Sequence, residues 1–446
     1  MSGPAVGTIR EWMQDVLETG VRVLHRRRRE MWWGGTISVP ESEAPRPARP
    51  EDVPWHFAGP EGEAYGIGEA ARFAFERAPV LGSMATAARE LGRERDLPEG
   101  ARLGGGTAFL SRTPGGAWRG FPAGQLVLPV LTVERPGDGT ARVHLAANLK
   151  PEAPVRRLYH LLLPPDAEAP PSPPAPEARL VDVQFRTAPA RFRELVREAL
   201  VFIEQGRFEK VVLARSVELR LEEAMAAERL FDALAPDAER AERFFVRCGA
   251  GVLVGASPEL LARVRDGRVT SASLAGTAER GSDPDLLLRN PKERREHEWV
   301  RRFLADALGE VADRVDIPDV PVVQEAGPVQ HLYTPAGGQL KDGLDIWDVL
   351  QALHPTPAVG GFPRETAVSF IRDREGFDRG WYAGVVGSVS LGGAGAFHVA
   401  LRSGLVRGPS VVLYGGAGVV SGSEPEHELM ETGWKCLPML RALARA

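Results

Sequence analysis

An α+β fold containing antiparallel sheet is what this sequence predicts, on two patterns. Between about residues 65 and 163, short apolar runs alternate with Gly and Pro turns, as in 125–131 (QLVLPVL) and 141–145 (ARVHL). That is the pattern of antiparallel strands joined by tight connections. Elsewhere apolar residues recur at helical spacing, as at Phe192, Leu195, Ala199, Leu200 and Ile203, which marks helices buried along one face.

In chain order, residues 8–30 read as an amphipathic helix with Trp12, Val16, Leu17, Val21 and Leu24 on one face; the Arg26–Arg29 run at its end reads as solvated. Residues 39–61 read as an exposed connector. A helix near 67–92 is expected beside the first strands. Gly104-Gly105-Gly106 reads as a turn, because no GKS/T or GxGxxG follows it. The Pro-rich stretch 164–177 (PPDAEAPPSPPAPE) reads as a linker and divides the chain into 1–178 and 179–446. A helix over 190–205 follows, then a strand over 208–215 with Lys210 at its start. Residues 252–264 and 269–274, joined at Asp266-Gly267, read as a strand pair. Asn290-Pro291 caps a long helix. Near the end, 411–414 reads as a buried strand running into Gly415-Gly416-Ala417-Gly418. A second short strand, a polar turn and a helix opened by Glu424-Pro425 complete the chain.

Composition narrows the function. With 446 residues the chain is long enough for a large core and for two or three structural units. A net charge of −5 and a pI of about 6.1 argue against nucleic acid or an anionic membrane as partner. No apolar run approaches the length of a membrane span, and residues 1–12 hold no hydrophobic signal core. Two cysteines, Cys248 and Cys436, lie outside any metal-type spacing, so a cytoplasmic protein without disulfides is expected.

Of 55 basic residues only five are lysine. Arg serves wherever a fixed charge suffices, so a retained lysine marks a place where an amine can matter: unlike Arg, a buried Lys can shift its pKa and act as a base. Lys210 and Lys435 stand out on this ground, whereas Lys150 and Lys341 read as surface residues.

Two helices carry the chemistry. Glu428, Glu431 and Lys435 fall at i, i+3 and i+7, and Glu293 and Glu296 at i and i+3, so each pair of carboxylates shares a helix face. Two such faces suit Mg2+, which takes a few carboxylates together with waters and an anionic substrate. A solvated surface with incidental salt bridges is the alternative. Zinc is disfavoured, since His297 and His427 form no HExxH pattern; both read as structural or solvated. Arg402, in a strand context, calls for either a substrate carboxylate or a structural salt bridge. Lys210 and Glu259 can be an acid–base couple or a buried ion pair, and spacing does not pair them.

Ordered motifs then add a resemblance. Ser257-Pro258-Glu259, Leu274-Ala275-Gly276-Thr277, 292–298, Val329-Gln330-His331-Leu332, 353–358 (LHPTPA), Gly361-Phe362-Pro363, Trp381-Tyr382-Ala383-Gly384, Leu401-Arg402-Ser403 and Gly415–Gly418 occur in that order. From about residue 185 to the end the chain resembles the chorismate-utilising enzymes, and among them the isochorismate synthases. The resemblance implies two antiparallel sheets packed as a sandwich with helices outside and the active site between them. It implies Mg2+ ligands at Glu296 and Glu431, with Glu293 and Glu428 beside them. It places at Lys210 the base that activates water for attack on C2 of chorismate. The acid for the departing C4 hydroxyl falls on Glu259. Substrate contacts are implied at Gly276, Thr277, His331, Tyr382, Arg402, the backbone of Gly416, Ala417 and Gly418, and Lys435.

Lys210 together with Ala275 resembles the water-adding branch of this family rather than its ammonia-using members, so no glutaminase partner is expected. A monomer or weak homodimer, working in menaquinone biosynthesis, is the implied form. The alternatives are a siderophore-pathway isochorismate synthase and a salicylate synthase, which goes on to eliminate pyruvate. A silent chorismate-binding subunit would be expected to have lost Lys210, Glu259 or a metal glutamate, and none is lost.

Overall fold

The structure, a computed structural model, describes residues 12, 13, 15–17, 19, 31–47, 50–149, 179–249 and 251–446. The Arg26–Arg29 run, Val21, Leu24, the Pro-rich stretch and the 178 boundary's linker lie outside the described residues. Where 12–19 is described it is helical, with Met13 and Leu17 buried.

Among the described residues, two antiparallel sheets of 12 and 10 strands form the body of the protein. The larger runs from Met31–Pro40 through Trp55–Gly59, Glu242–Cys248, Gly251–Ser257, Ser403–Arg407, Ser410–Val420 and Lys210–Leu221 to the short Gly361–Phe362. The smaller runs from Ala312–Asp316 through Val329–Leu340, Arg268–Glu279, Leu260–Arg265, Gly395–Val399, Val385–Ser390 and Arg102–Thr107 to Ala71–Phe75. Both sheets draw strands from either side of residue 178. One apolar core joins them, with Trp55, Phe244 and Leu253 from one sheet against Leu126, Val386 and Phe397 from the other. The indole N–H of Trp55 donates across this interior to Val127 O at 3.1 Å.

That close approach explains why the glycine triplet is not a turn. Gly104-Gly105-Gly106 lies inside the buried strand Arg102–Thr107, and a β-carbon on Gly104 would sit 2.4 Å from the Trp55 ring. Glycine here makes room for the facing sheet, a use that composition alone does not separate from a turn. Three further expectations are corrected. Trp55–Gly59, inside the expected connector, is an interior strand because alternate residues bury Trp55 and Phe57. The helix expected over 67–92 is confined to Val80–Leu91, and Gly62–Ile67 and Ala71–Phe75 are strands. The two strands expected after 411 are one, Ser410–Val420, paired along its length with Lys210–Leu221. The Asp266-Gly267 hairpin forms as expected, with both residues at positive φ.

Helices cover the outside. Pro291–Val311 packs on Arg268–Glu279 and Val329–Leu340, and Pro425–Arg445 on Ser410–Val420. The Asn290 side chain caps the first by accepting from the Lys292 and Glu293 amides, with Pro291 in the first turn. Among the described residues no helix is long and apolar enough to cross a membrane.

Candidate active site

Two of the chain's crossings between the sheets lie side by side, and both carry predicted site residues. Ser257-Pro258-Glu259 leads from Gly251–Ser257 in the larger sheet to Leu260–Arg265 in the smaller, so 252–264 is two strands of different sheets. Residues 400–402 return from Gly395–Val399 to Ser403–Arg407; Arg402 therefore lies on a crossing, not within a strand. The crossings are tied together: the Val399 amide donates to Glu259 O at 3.1 Å, the Ala256 amide to Arg402 O at 3.2 Å, and the Ser257 hydroxyl to Val399 O at 2.6 Å. Glu259 and Arg402 thereby face one cavity, with about 640 Å³ of empty space when its mouth is included. Thr277, Glu296, His331, Tyr382, Gly416, Gly418 and Lys435 share its wall.

Burial in this cavity pushes the Glu259 carboxyl up to about 7, against the opposing pull of Lys210, Lys435 and Arg402. Its carboxyl can therefore hold a proton near neutrality. Arg402 is buried with φ +49° and has no carboxylate within ion-pair reach among the described residues. Its side-chain hydrogen bond is to His331 Nε2, at 3.2 Å. Since a guanidinium only donates, Nε2 accepts, and Nδ1 carries the proton toward Thr277 Oγ1 at 3.1 Å and Gly276 O at 3.3 Å. Burial first, and the charge of Arg402 next, hold the His331 imidazole well below its ordinary range and so neutral.

Strand alternation places the glycines. Gly416 and Gly418 line the cavity, whereas Ala417, between them, turns its side chain to the other face and can offer only backbone. A β-carbon on Gly418 would lie 2.1 Å from Glu296 Oε1, and one on Gly416 2.9 Å from the Tyr382 hydroxyl. Tyr382 is itself stacked on Tyr414, ring centroids 5.0 Å apart. Gly276, at φ +78°, forms a bulge that turns the Thr277 amide onto Glu293 Oε2 at 2.7 Å.

Lys210 opens the Lys210–Leu221 strand wholly buried, with its amine 3.0 Å from Glu296 Oε1; that contact is an ion pair rather than a well-aligned hydrogen bond. The two glutamate-bearing helices meet at this point. Glu293, Glu296, Glu428 and Glu431 are all buried, and three amines face them. Lys210 pairs with Glu296; Lys435 lies 2.5 Å from Glu431 and donates to Gly416 O at 2.9 Å; Lys292 lies 2.7 Å from Glu428 and 3.2 Å from Glu293.

Burial, reinforced by the neighbouring carboxylates, raises Glu293 and lifts Glu428 to about 7. Burial opposes the charge of Glu296 too, but there Lys210 and Lys292 outweigh it and hold the carboxyl below its ordinary value. Glu428 Oε2 is buried without a partner. His427 offers a further ligand atom, lying with Glu428 and Glu431 within 4.8 Å of one another. A set of oxygen donors in excess over the amines, with an unpartnered carboxylate oxygen among them, fits a hard divalent cation.

His297 is structural, as expected: its ring nitrogens meet Ala275 O at 3.2 Å and Thr334 Oγ1 at 2.8 Å. Lys292 and Arg379 are among the residues at the site that the sequence reading does not assign. Lys292 was legible in principle, as one of five lysines. Arg379, on the cavity wall, gave no sequence sign among so many arginines; it is buried against Glu375 and donates to Val212 O and Val359 O.

The sequence model of a family described as chorismate binding enzyme matches residues 50–444. The "Salicylate biosynthesis isochorismate synthase" of Pseudomonas aeruginosa is 38% identical over 362 residues, covering 78% of this chain and 75% of that protein. The "Isochorismate synthase MenF" of Bacillus subtilis is 38% identical over 248 residues, 54% of this chain and 53% of that one. Among solved structures, the menaquinone-specific isochorismate synthase MenF of Escherichia coli aligns with a TM-score of 0.78 at 27% identity, over 97% of this chain and 99% of that one. With a family match across most of its length, a sandwich of two antiparallel sheets and the predicted motifs gathered about one cavity, the chain belongs to the chorismate-binding enzymes.

Proposed function

We propose that the protein is an isochorismate synthase, an isomerase that moves the hydroxyl of chorismate from C4 to C2. The observation that carries this is the nearness of two chemistries: a carboxyl at Glu259 on the cavity wall, whose proton is held to about 7, and a buried amine at Lys210 that meets Glu296 of the same wall. The relatives' printed names support the same reaction.

Lys210 takes a proton from the water that attacks C2, the ring double bonds shift, and Glu259 protonates the C4 hydroxyl, which leaves as water. One water enters and one departs, so the reaction is a net isomerisation. Arg402, unpaired with any carboxylate, holds the enolpyruvyl carboxylate. Thr277, Tyr382, Lys435 and the backbone about Gly416–Gly418 orient the ring, and His331 fixes the Arg402 fork. Glu296 and Glu431, with Glu293 and Glu428 beside them, would hold Mg2+, which when bound neutralises the ring carboxylate.

Two destinations for the product stand level. A relative named for salicylate biosynthesis supports one, and relatives named MenF support menaquinone. Incubation of purified protein with chorismate and Mg2+, with chromatography and a pyruvate assay, tests the reaction. Isochorismate without pyruvate is the expected result. Salicylate with equal pyruvate would make the enzyme a salicylate synthase, and no conversion would overturn the reading.

A further inference from the structure

Lys292 occupies an unfavourable place for a cation. It lies in the first turn of Pro291–Val311, where the aligned peptide dipoles and free amide hydrogens disfavour positive charge. Its amine is nevertheless turned inward, onto Glu428 at 2.7 Å and Glu293 at 3.2 Å. A residue that breaks a local rule is compensated by something specific. Here the compensation is a bridge between the two glutamate-bearing helices.

The three amines of the cluster differ in what holds them. Lys210 is wholly buried, and Lys435 is tied to the backbone carbonyl of Gly416 as well as to Glu431. Among the described residues Lys292 is held only by carboxylates, and its side chain keeps 18% of its surface in solvent. It alone of the three is able to leave without breaking a backbone contact or crossing the core. The oxygen of Glu428 that it does not touch, Oε2, is the buried unpartnered one.

We propose that the Lys292 amine is a resident counter-ion of the metal seat: it neutralises Glu293 and Glu428 in the metal-free protein and is displaced toward solvent when the divalent cation binds. This rests on the Mg2+ reading above. The amine keeps an empty acidic cluster from repelling itself apart, and in return it weakens the binding of free Mg2+.

Calorimetric titration of the full-length protein with Mg2+ alone, at fixed ionic strength, tests this in the wild type, Lys292→Met and Lys292→Gln. Both variants should bind Mg2+ at least about tenfold more tightly. Their metal-free melting temperatures should fall, and saturating Mg2+ should restore them. Affinity equal to or weaker than wild type would overturn the proposal and make Lys292 a support of the site.

A check in the wild type does not depend on a variant folding. Acylation of the lysines with mass-spectrometric readout should show Lys292 labelled faster with Mg2+ than without, and an unchanged rate would equally overturn the proposal. A wild type that takes up no Mg2+, indistinguishable from Glu431→Gln, would instead sink the metal reading itself.

Discussion

Lys210 and Glu296 meet 3.0 Å apart over the backbone of Gly418, where a β-carbon would stand 2.1 Å from Glu296 Oε1 and 3.2 Å from Lys210 Cε. The strand therefore contributes an absence of side chain, and the contact between base candidate and metal-ligand candidate depends on it. Gly418→Ala should leave the fold intact, since Gly418 is not at a positive φ. Displacing these groups by about 1 Å should lower kcat on the order of 100-fold. Steady-state kinetics beside circular dichroism checks this, and a wild-type rate would show that the contact is not needed.

Lys210→Gln should reduce turnover by about 10²–10⁴-fold, the usual contribution of a positioned base. Chorismate should still bind, because the proposed carboxylate contacts are elsewhere. The substitution also leaves Glu296 without its buried partner, so a lower melting temperature accompanies the lost rate. Equilibrium binding together with single-turnover kinetics separates the effects; normal turnover would remove Lys210 as the base.

The parts of this site that were legible in sequence are those set by local rules. Glu428, Glu431 and Lys435 share a face because a helix has 3.6 residues per turn, and the Asn290-Pro291 cap fixes the start of the helix that carries Glu293 and Glu296. What joins the two helices is long-range. Nothing near Lys210 in the chain indicates that it reaches Glu296, because that contact comes from the register of Lys210 against Val420 and from the room left by Gly418. The glycine triplet failed for the same reason: its partner is Trp55, on the facing sheet. In sequence the two crossings at Glu259 and Arg402 look like strand because their neighbours are apolar, and apolar residues line both a strand and a passage between sheets.

Glu259 gives a pH signature. Its carboxyl is raised to about 7 in the folded protein from an ordinary value of 4.5. Activity that needs the protonated acid should fall as pH rises through about 7. Glu259→Gln should lower the rate and abolish that limb of the kcat/KM profile, which reports the free enzyme. The same shift bears on stability. Between about 4.5 and 7 the folded state binds more protons than the unfolded, so this group's contribution is full below the unfolded value and is lost as pH rises through the folded one. Melting curves of Glu259→Gln should accordingly decline less across that window than those of wild type. Parallel declines would show that Glu259 is not the group titrating.

Arg402 decides between substrate recognition and structural pairing. A buried guanidinium in a structural ion pair is costly to remove, on the order of 3–5 kcal/mol, because its carboxylate is left uncompensated. Arg402 has no such carboxylate among the described residues; its contact is with the neutral ring of His331. Arg402→Met should therefore cost the protein little stability, the loss of one hydrogen bond to His331 being offset by the removal of a buried charge. Its effect should fall on chorismate, with KM raised about 100-fold or more because the bidentate carboxylate contact is gone. Arg402→Lys should recover only part of that, since an ammonium is a point charge rather than a fork. Melting temperature and KM measured on both variants check this. A large drop in stability with an unchanged KM would make Arg402 a structural residue and move the carboxylate contact elsewhere in the cavity.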